Sequence, residues 1–99
     1  MCGAPDQDVA LPPGTDLSKE TVLTGHVVAG GEPVGGAFVR LLDGTGEFTA
    51  EVVASKSGVF RFFAAPGTWT LRALSRAGNG EVVLTADGPG LHRAEVAVA

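Results

Sequence analysis

Hydrophobic and polar residues alternate along most of this chain, in short runs that end at glycine, proline or serine. Side chains of a β-strand point alternately to its two faces, so this alternation indicates strands that bury one face. Turn-forming residues between the runs favour tight antiparallel connections. We therefore expect an all-β fold, a seven-stranded antiparallel β-sandwich. The strands are predicted at 21–28, 37–42, 47–54, 59–63, 68–74, 81–85 and 92–98.

The same alternation predicts which side chains form the core between the two sheets. The expected inward residues are Leu23, Gly25, Val27, Ala37, Val39, Leu41, Phe60, Phe62, Trp69, Leu71, Ala73, Ala94, Val96 and Val98. Three large apolar residues fall on the opposite faces of their strands, namely Phe38, Leu42 and Phe63. Either the N-terminal residues cover them, or they form a surface for a partner or for self-association into a homo-oligomer. We take Phe38, Leu42 and Phe63 as the candidate partner surface.

Residues 1–19 differ in composition from the rest of the chain. Half of the prolines, Pro5, Pro12 and Pro13, lie there, and proline fixes φ and removes a ladder hydrogen bond. The sequence predicts an extended N-terminal arm at 1–19 and one β-sandwich domain at 20–99, a usual size for a single domain.

Charge and hydropathy exclude several classes of partner. The net charge is −4, and the seven lysines and arginines are scattered, so we expect no nucleic acid and no membrane surface as a partner. No apolar run is long enough to span a bilayer, and the N-terminus lacks the basic and apolar regions of a signal peptide. With a single cysteine, no internal disulfide is expected. These features favour a cytoplasmic protein.

No catalytic, metal or cofactor site is indicated by the residue pattern. His26 and His92, the two histidines, are far apart and are expected to face solvent, without the spacing of a copper site. Glu47 and Glu51 share a strand face but are expected to be solvated rather than a catalytic pair. The absence of tyrosine argues against a ring-opening dioxygenase, whose iron ligands include that residue. We predict no catalytic residue, no metal and no cofactor.

The turn and strand motifs resemble those of the carboxypeptidase regulatory-domain-like group. They are Gly25-x-Val27, Pro33-Val34-x-Gly36-Ala37-x-Val39-x-Leu41, Ser57-Gly58-x-Phe60-x-Phe62 and Pro66-Gly67-Thr68-Trp69-Thr70-Leu71. Trp69 stands where that group usually has tyrosine. The resemblance implies a prealbumin-like sandwich with Greek-key connections and says little about function.

Nearly the full length resembles a small actinobacterial family of unknown function, the SseC-like family, which is linked to sulfur metabolism. The matching segments are 1–2, 17–22, 34–43, 47–55, 60–67, 69–75 and 77–80. Its members are typically encoded beside a thiosulfate sulfurtransferase of the rhodanese type. The resemblance implies a non-enzymatic accessory protein that associates with this sulfurtransferase. The alternative is a structural, ligand-binding or protein-binding sandwich without sulfur chemistry.

Cys2 is the candidate sulfur acceptor. Removal of Met1 would leave its thiol beside an α-ammonium group, which favours the reactive thiolate. A persulfide carrier that accepts sulfur from a sulfurtransferase needs such an accessible thiol. The competing interpretation is an incidental cysteine in the N-terminal arm.

Overall fold

Eight β-strands build the protein in a computed structural model that describes residues 15–99. They are β1 (Thr21–Ala29), β2 (Glu32–Pro33), β3 (Phe38–Leu42), β4 (Phe48–Val53), β5 (Val59–Phe63), β6 (Gly67–Ser75), β7 (Gly78–Ala86) and β8 (Gly90–Ala97). The strands lie close to the predicted positions, because the turn-forming residues that end each alternating run do form turns in the structure. Most of the predicted arm, residues 1–14, lies outside the described residues. Among residues 15–99 there is no helix that could cross a lipid bilayer.

The strands form two sheets of four. In sheet I, β1 pairs with β2, β5 and β8, and in sheet II the order is β4-β3-β6-β7. The all-β sandwich predicted from the sequence is confirmed, with three differences in detail. β7 covers Gly78–Ala86, four residues more than the predicted 81–85. Residues Glu32–Pro33 form a short eighth strand against β1 rather than part of a turn. The pairing of β1 with β8 is parallel, whereas the other pairings are antiparallel.

The core lies between the sheets and contains the side chains that the alternation assigns inward. Its fully buried members include Leu23, Val27, Phe60, Leu71 and Val96. Trp69 is half-buried against this core, and its Nε1 donates to the carbonyl oxygen of Ala65 at 2.9 Å. The core prediction is therefore confirmed, because each face of a strand follows from residue parity wherever the ladder is regular.

One histidine departs from the expectation. His26 is exposed, as predicted, but His92 is half-buried in register with Leu23. Its Nε2 donates to the carbonyl oxygen of Gly88 at 2.8 Å. The expectation that His92 faces solvent is wrong, because its position in β8 points toward the interior of the sandwich.

Candidate functional site

The three residues predicted as a partner surface do not lie together. Phe38 and Phe63 are about equally exposed, at 50% and 49%, but Phe38 belongs to sheet II and Phe63 to sheet I. Their side chains lie on opposite outer faces of the sandwich. The prediction of one patch from these residues is therefore wrong.

Leu42 is buried, with 7% of its surface exposed. It lies at a β-bulge, where the pairing of β3 with β4 shifts between Leu41 and Leu42. Leu42 is flanked in register by Phe48 on one side and Thr70 on the other. Its assignment to the partner surface is therefore wrong. Alternation gives the face on which a residue lies, but not whether neighbouring side chains cover it.

Exposed apolar side chains concentrate on the outer face of sheet II. Seven large hydrophobic residues are exposed between residues 15 and 99, and four of them lie on this face. We call this surface the sheet II face, defined by Phe38, Phe48, Val53 and Val83. It carries an apolar row at each end, with Phe38 and Val53 in one row and Phe48 and Val83 in the other.

Sequence reasoning missed Phe48, Val53 and Val83. Strict alternation places positions 48 and 53 on opposite faces of β4, because they are an odd number of residues apart. The bulge inserts Thr49 as an extra residue, so Phe48, Glu51 and Val53 share one face. No signal in a single sequence marks that bulge.

A row of four charged side chains crosses the middle of the sheet II face. Register places them in the order Glu51, Arg40, Arg72 and Glu81, on β4, β3, β6 and β7. Arg40 Nε donates to Glu51 Oε2 at 2.7 Å, and Arg72 Nη2 donates to Glu81 Oε1 at 3.2 Å. The face therefore combines two apolar rows with two ion pairs, whose arginines stand side by side.

A hollow of about 770 Å³ opens beside Phe38 at the end of this face. It is lined by Val34, Gly35, Leu74 and Arg76, among others. The hollow extends the apolar row of Phe38 and adds a third arginine at its rim, so the sheet II face is not negatively charged although the whole chain is.

The outer face of sheet I carries a second open groove, of about 510 Å³. Its polar lining includes Thr24, His26, Arg61, Arg93 and Glu95. Arg93, Thr24 and Arg61 lie in one cross-strand row. This groove is mixed in charge, and its Thr24 hydroxyl already donates to the carbonyl oxygen of Phe60 at 2.9 Å.

The described residues do not assemble metal or acid–base chemistry. No group of three His, Cys, Asp or Glu side chains within 15–99 is arranged to hold a metal ion. His26 and His92 lie on opposite faces of sheet I. Glu51 is paired with Arg40, and the Asp43 carboxylate accepts hydrogen bonds from Thr45 and Glu47, which lower its pKa. Cys2, the predicted sulfur acceptor, lies outside the described residues.

Comparison with known proteins identifies a family whose function is unknown. A family model described as "Protein of unknown function (DUF1416)" matches residues 2–98. The uncharacterized protein Rv0814c of Mycobacterium tuberculosis is 63% identical over 99% of both chains. An uncharacterized protein of Mycolicibacterium smegmatis is 68% identical over 90% of this chain and all of its own length. The expected actinobacterial relationship is thus confirmed, and these names carry no link to sulfur.

Solved structures share the fold at low sequence identity. A DUF3823 family protein from Parabacteroides merdae aligns with a TM-score of 0.62 and 15% identity, over 83% of this chain, which spans about half (47%) of that one. The dioxygenase domain of a dioxygenase carbohydrate-binding protein fusion from Streptomyces sp. SirexAA-E aligns with a TM-score of 0.56 and 11% identity over 98% of both chains. At such identities the likeness shows the fold alone.

Proposed function

Because the chain belongs to the DUF1416 family of proteins of unknown function, we propose a role argued from its own surface. The protein is a non-enzymatic accessory protein that binds another protein through the sheet II face. The observation that carries this proposal is the concentration of exposed Phe38, Phe48, Val53 and Val83 on one outer sheet face.

Single exposed apolar side chains are ordinary on protein surfaces. Four on one sheet face, of which Phe38 and Val53 are neighbours in register, point to an interaction site. A hydrogen-bonded four-stranded sheet presents these side chains on an ordered backbone, so little order has to be gained on binding. Charged residues in the middle of such a face favour correct orientation of the partner.

The proposed partner, as the sequence resemblance implies, is a thiosulfate sulfurtransferase of the rhodanese type, and we propose that the two proteins meet in the cytoplasm. Cys2 would accept sulfur from it. In that step the Cys2 thiolate attacks the outer sulfur of the enzyme's persulfide, the enzyme's S–S bond breaks, and the enzyme thiolate leaves with its electron pair. A persulfide on Cys2 is the product, and no additional oxidant or reductant is needed.

Two phenylalanines provide a matched test of the docking face. Phe38 and Phe63 are equally exposed but lie on different sheets. We expect Phe38→Ser to raise the dissociation constant for the sulfurtransferase, measured by calorimetry, by at least about tenfold. This factor corresponds to the free energy of burying one large apolar side chain. Phe63→Ser should bind as the unchanged protein does. Equal loss in both variants, or loss in Phe63→Ser alone, contradicts docking on the sheet II face.

Sulfur transfer is tested separately by intact mass spectrometry. After incubation with thiosulfate and the sulfurtransferase, the protein should gain one sulfur atom that a reductant removes. Cys2→Ser should gain none. Binding without a mass gain would leave a docking role and remove the carrier role.

The alternative function is a ligand-binding or peptide-binding sandwich without sulfur chemistry. The arginine-containing groove on sheet I favours it, because a concave surface with a few polar groups suits a small anionic ligand. This alternative predicts that the sulfurtransferase does not bind, and that Arg93→Gln rather than Phe38→Ser abolishes recognition of the ligand.

A further inference from the structure

We infer that Arg40 and Arg72 together receive a carboxylate of the partner, so that the sheet II face recognises an acidic residue flanked by apolar ones. This inference rests on the proposed docking function and specifies the chemistry of the partner's contact surface. It is carried by the register of four charged residues and by the two apolar rows beside them.

The two arginines are directly opposite each other. Register pairs Arg40 of β3 with Arg72 of β6, which places their Cβ atoms roughly 5 Å apart on the same outer face. Like charges in directly opposed positions destabilise a sheet. The pair therefore has a cost in the unbound protein that a bound anion would relieve.

Each arginine forms its ion pair on the side that faces away from the other arginine. Glu51 binds Arg40 through Nε, and Glu81 binds Arg72 through one Nη. A guanidinium has five N–H donors in a planar fork, so both keep donors for a further carboxylate. Both side chains remain exposed, at 45% and 43%. The two glutamates position the arginines without enclosing them.

Apolar side chains lie on both sides of the arginine pair. Phe38 and Val53 form the row before it, and Phe48 and Val83 lie in the row after it. A carboxylate over the arginines would thus have Phe38 on one side. On the other side it would have the row in which Phe48 and Val83 flank Thr70 and buried Leu42. An extended segment that carries an acidic residue two positions from an apolar residue on each side, so that the three side chains share one face, has this arrangement.

Charge disfavours a second copy of the chain that is centred on this site. The charge order across the sheet is negative, positive, positive, negative. Any face-to-face twofold arrangement centred on the row brings one arginine pair onto the other, and like charges in contact oppose binding. The charges therefore favour a different, acidic partner.

The test uses two blocked seven-residue peptides with the same apolar residues at positions 2 and 6, one with aspartate and the other with asparagine at position 4, so that these three side chains share one face. Each is titrated into the ¹⁵N-labelled full chain. We expect the aspartate peptide to bind at least about tenfold more tightly than the asparagine peptide, since charge-assisted hydrogen bonds are the stronger ones. Shift changes should centre on Phe38, Arg40 and Arg72. Higher salt should reduce the difference between the peptides.

Three variants make the result specific. Arg40→Gln and Arg72→Gln should each remove most of the preference for aspartate, whereas Arg93→Gln, an exposed arginine on sheet I, should keep it. Spectra without peptide confirm that each variant is folded. Equal affinity for both peptides, or shift changes on sheet I, would overturn the inference, and so would shifts that depend on protein concentration and indicate a second copy.

The outcome is separable from that of the proposed function. If the aspartate peptide binds through the arginines while the sulfurtransferase does not bind, this inference stands and the proposed partner is wrong. If the sulfurtransferase binds through Phe38 with Arg40→Gln and Arg72→Gln unaffected, docking stands and the arginine site is wrong.

Discussion

At the scale of single residues, the approach of β1 to β8 depends on Gly25. A Cβ built at this position would lie 1.6 Å from the carbonyl oxygen of Ala94 and 3.0 Å from the ring of Phe60. The first neighbour is backbone in a parallel pair, and it cannot move without breaking the ladder. Glycine at position 25 therefore permits a pairing that any larger residue would prevent.

We predict that Gly25→Ala destabilises the protein by roughly 3 kcal/mol, in the range of overpacking in a rigid core. The loss of stability is measured by urea unfolding, monitored by tryptophan fluorescence. Gly88→Ala is the matched control, because its Cβ would meet nothing within 4 Å, and it should change stability by less than about 0.5 kcal/mol. A mild effect of Gly25→Ala would contradict the close β1–β8 contact.

Asp43 provides a pH-dependent prediction at the same scale. Hydrogen bonds from Thr45 and from the backbone N–H of Glu47 lower the pKa of this carboxyl below its ordinary 3.8. A lowered folded-state pKa adds stability above the ordinary pKa, and this stability is lost as the pH falls through the lowered value.

Asp43→Asn, which keeps an acceptor oxygen but not the charge, should therefore lower the melting temperature at pH 7. The difference from the unchanged protein should shrink as the pH falls below 3.8. Thermal unfolding between pH 7 and pH 2 measures it. A difference that stays constant over this range would show that the charge of Asp43 does not matter.

At the scale of strands, regular alternation made the inner faces predictable. Phe60, Phe62, Leu71 and Val96 are buried where parity places them. Parity fails at the bulge beside Leu42, where one extra residue moves Phe48 to the face of Val53. It also carries no information on strand direction, so the parallel pairing of β8 with β1 was not predictable.

The position of β8 leads to a prediction about packing. Val96 is fully buried between the sheets, whereas Val83 on β7 is 62% exposed. Val96→Ala should lower the free energy of unfolding by about 2 kcal/mol through lost burial and an unfilled cavity. Val83→Ala should change it by less than about 0.5 kcal/mol. Similar effects of both substitutions in urea unfolding would show that β8 does not close the core.

At the scale of the whole molecule, the two outer faces differ in what they present. The sheet II face carries four exposed apolar residues and the arginine pair, whereas the outer face of sheet I carries two, Phe63 and Leu91, and the mixed groove. The sequence predicted the same outward position for Phe38 and Phe63, because each is a large apolar residue beside an inward-facing neighbour in its strand. Only pairing assigns them to different sheets, and that assignment needs contacts between residues distant in the chain.

The most direct measurement is a map of backbone amide shifts in the ¹⁵N-labelled protein on addition of unlabelled thiosulfate sulfurtransferase. We expect changes and line broadening to centre on β3, β4, β6 and β7, around Phe38 and Arg72, with β1 and β5 little affected. Changes centred on the sheet I groove, or no changes at a large excess of the enzyme, would contradict the proposed docking face and partner.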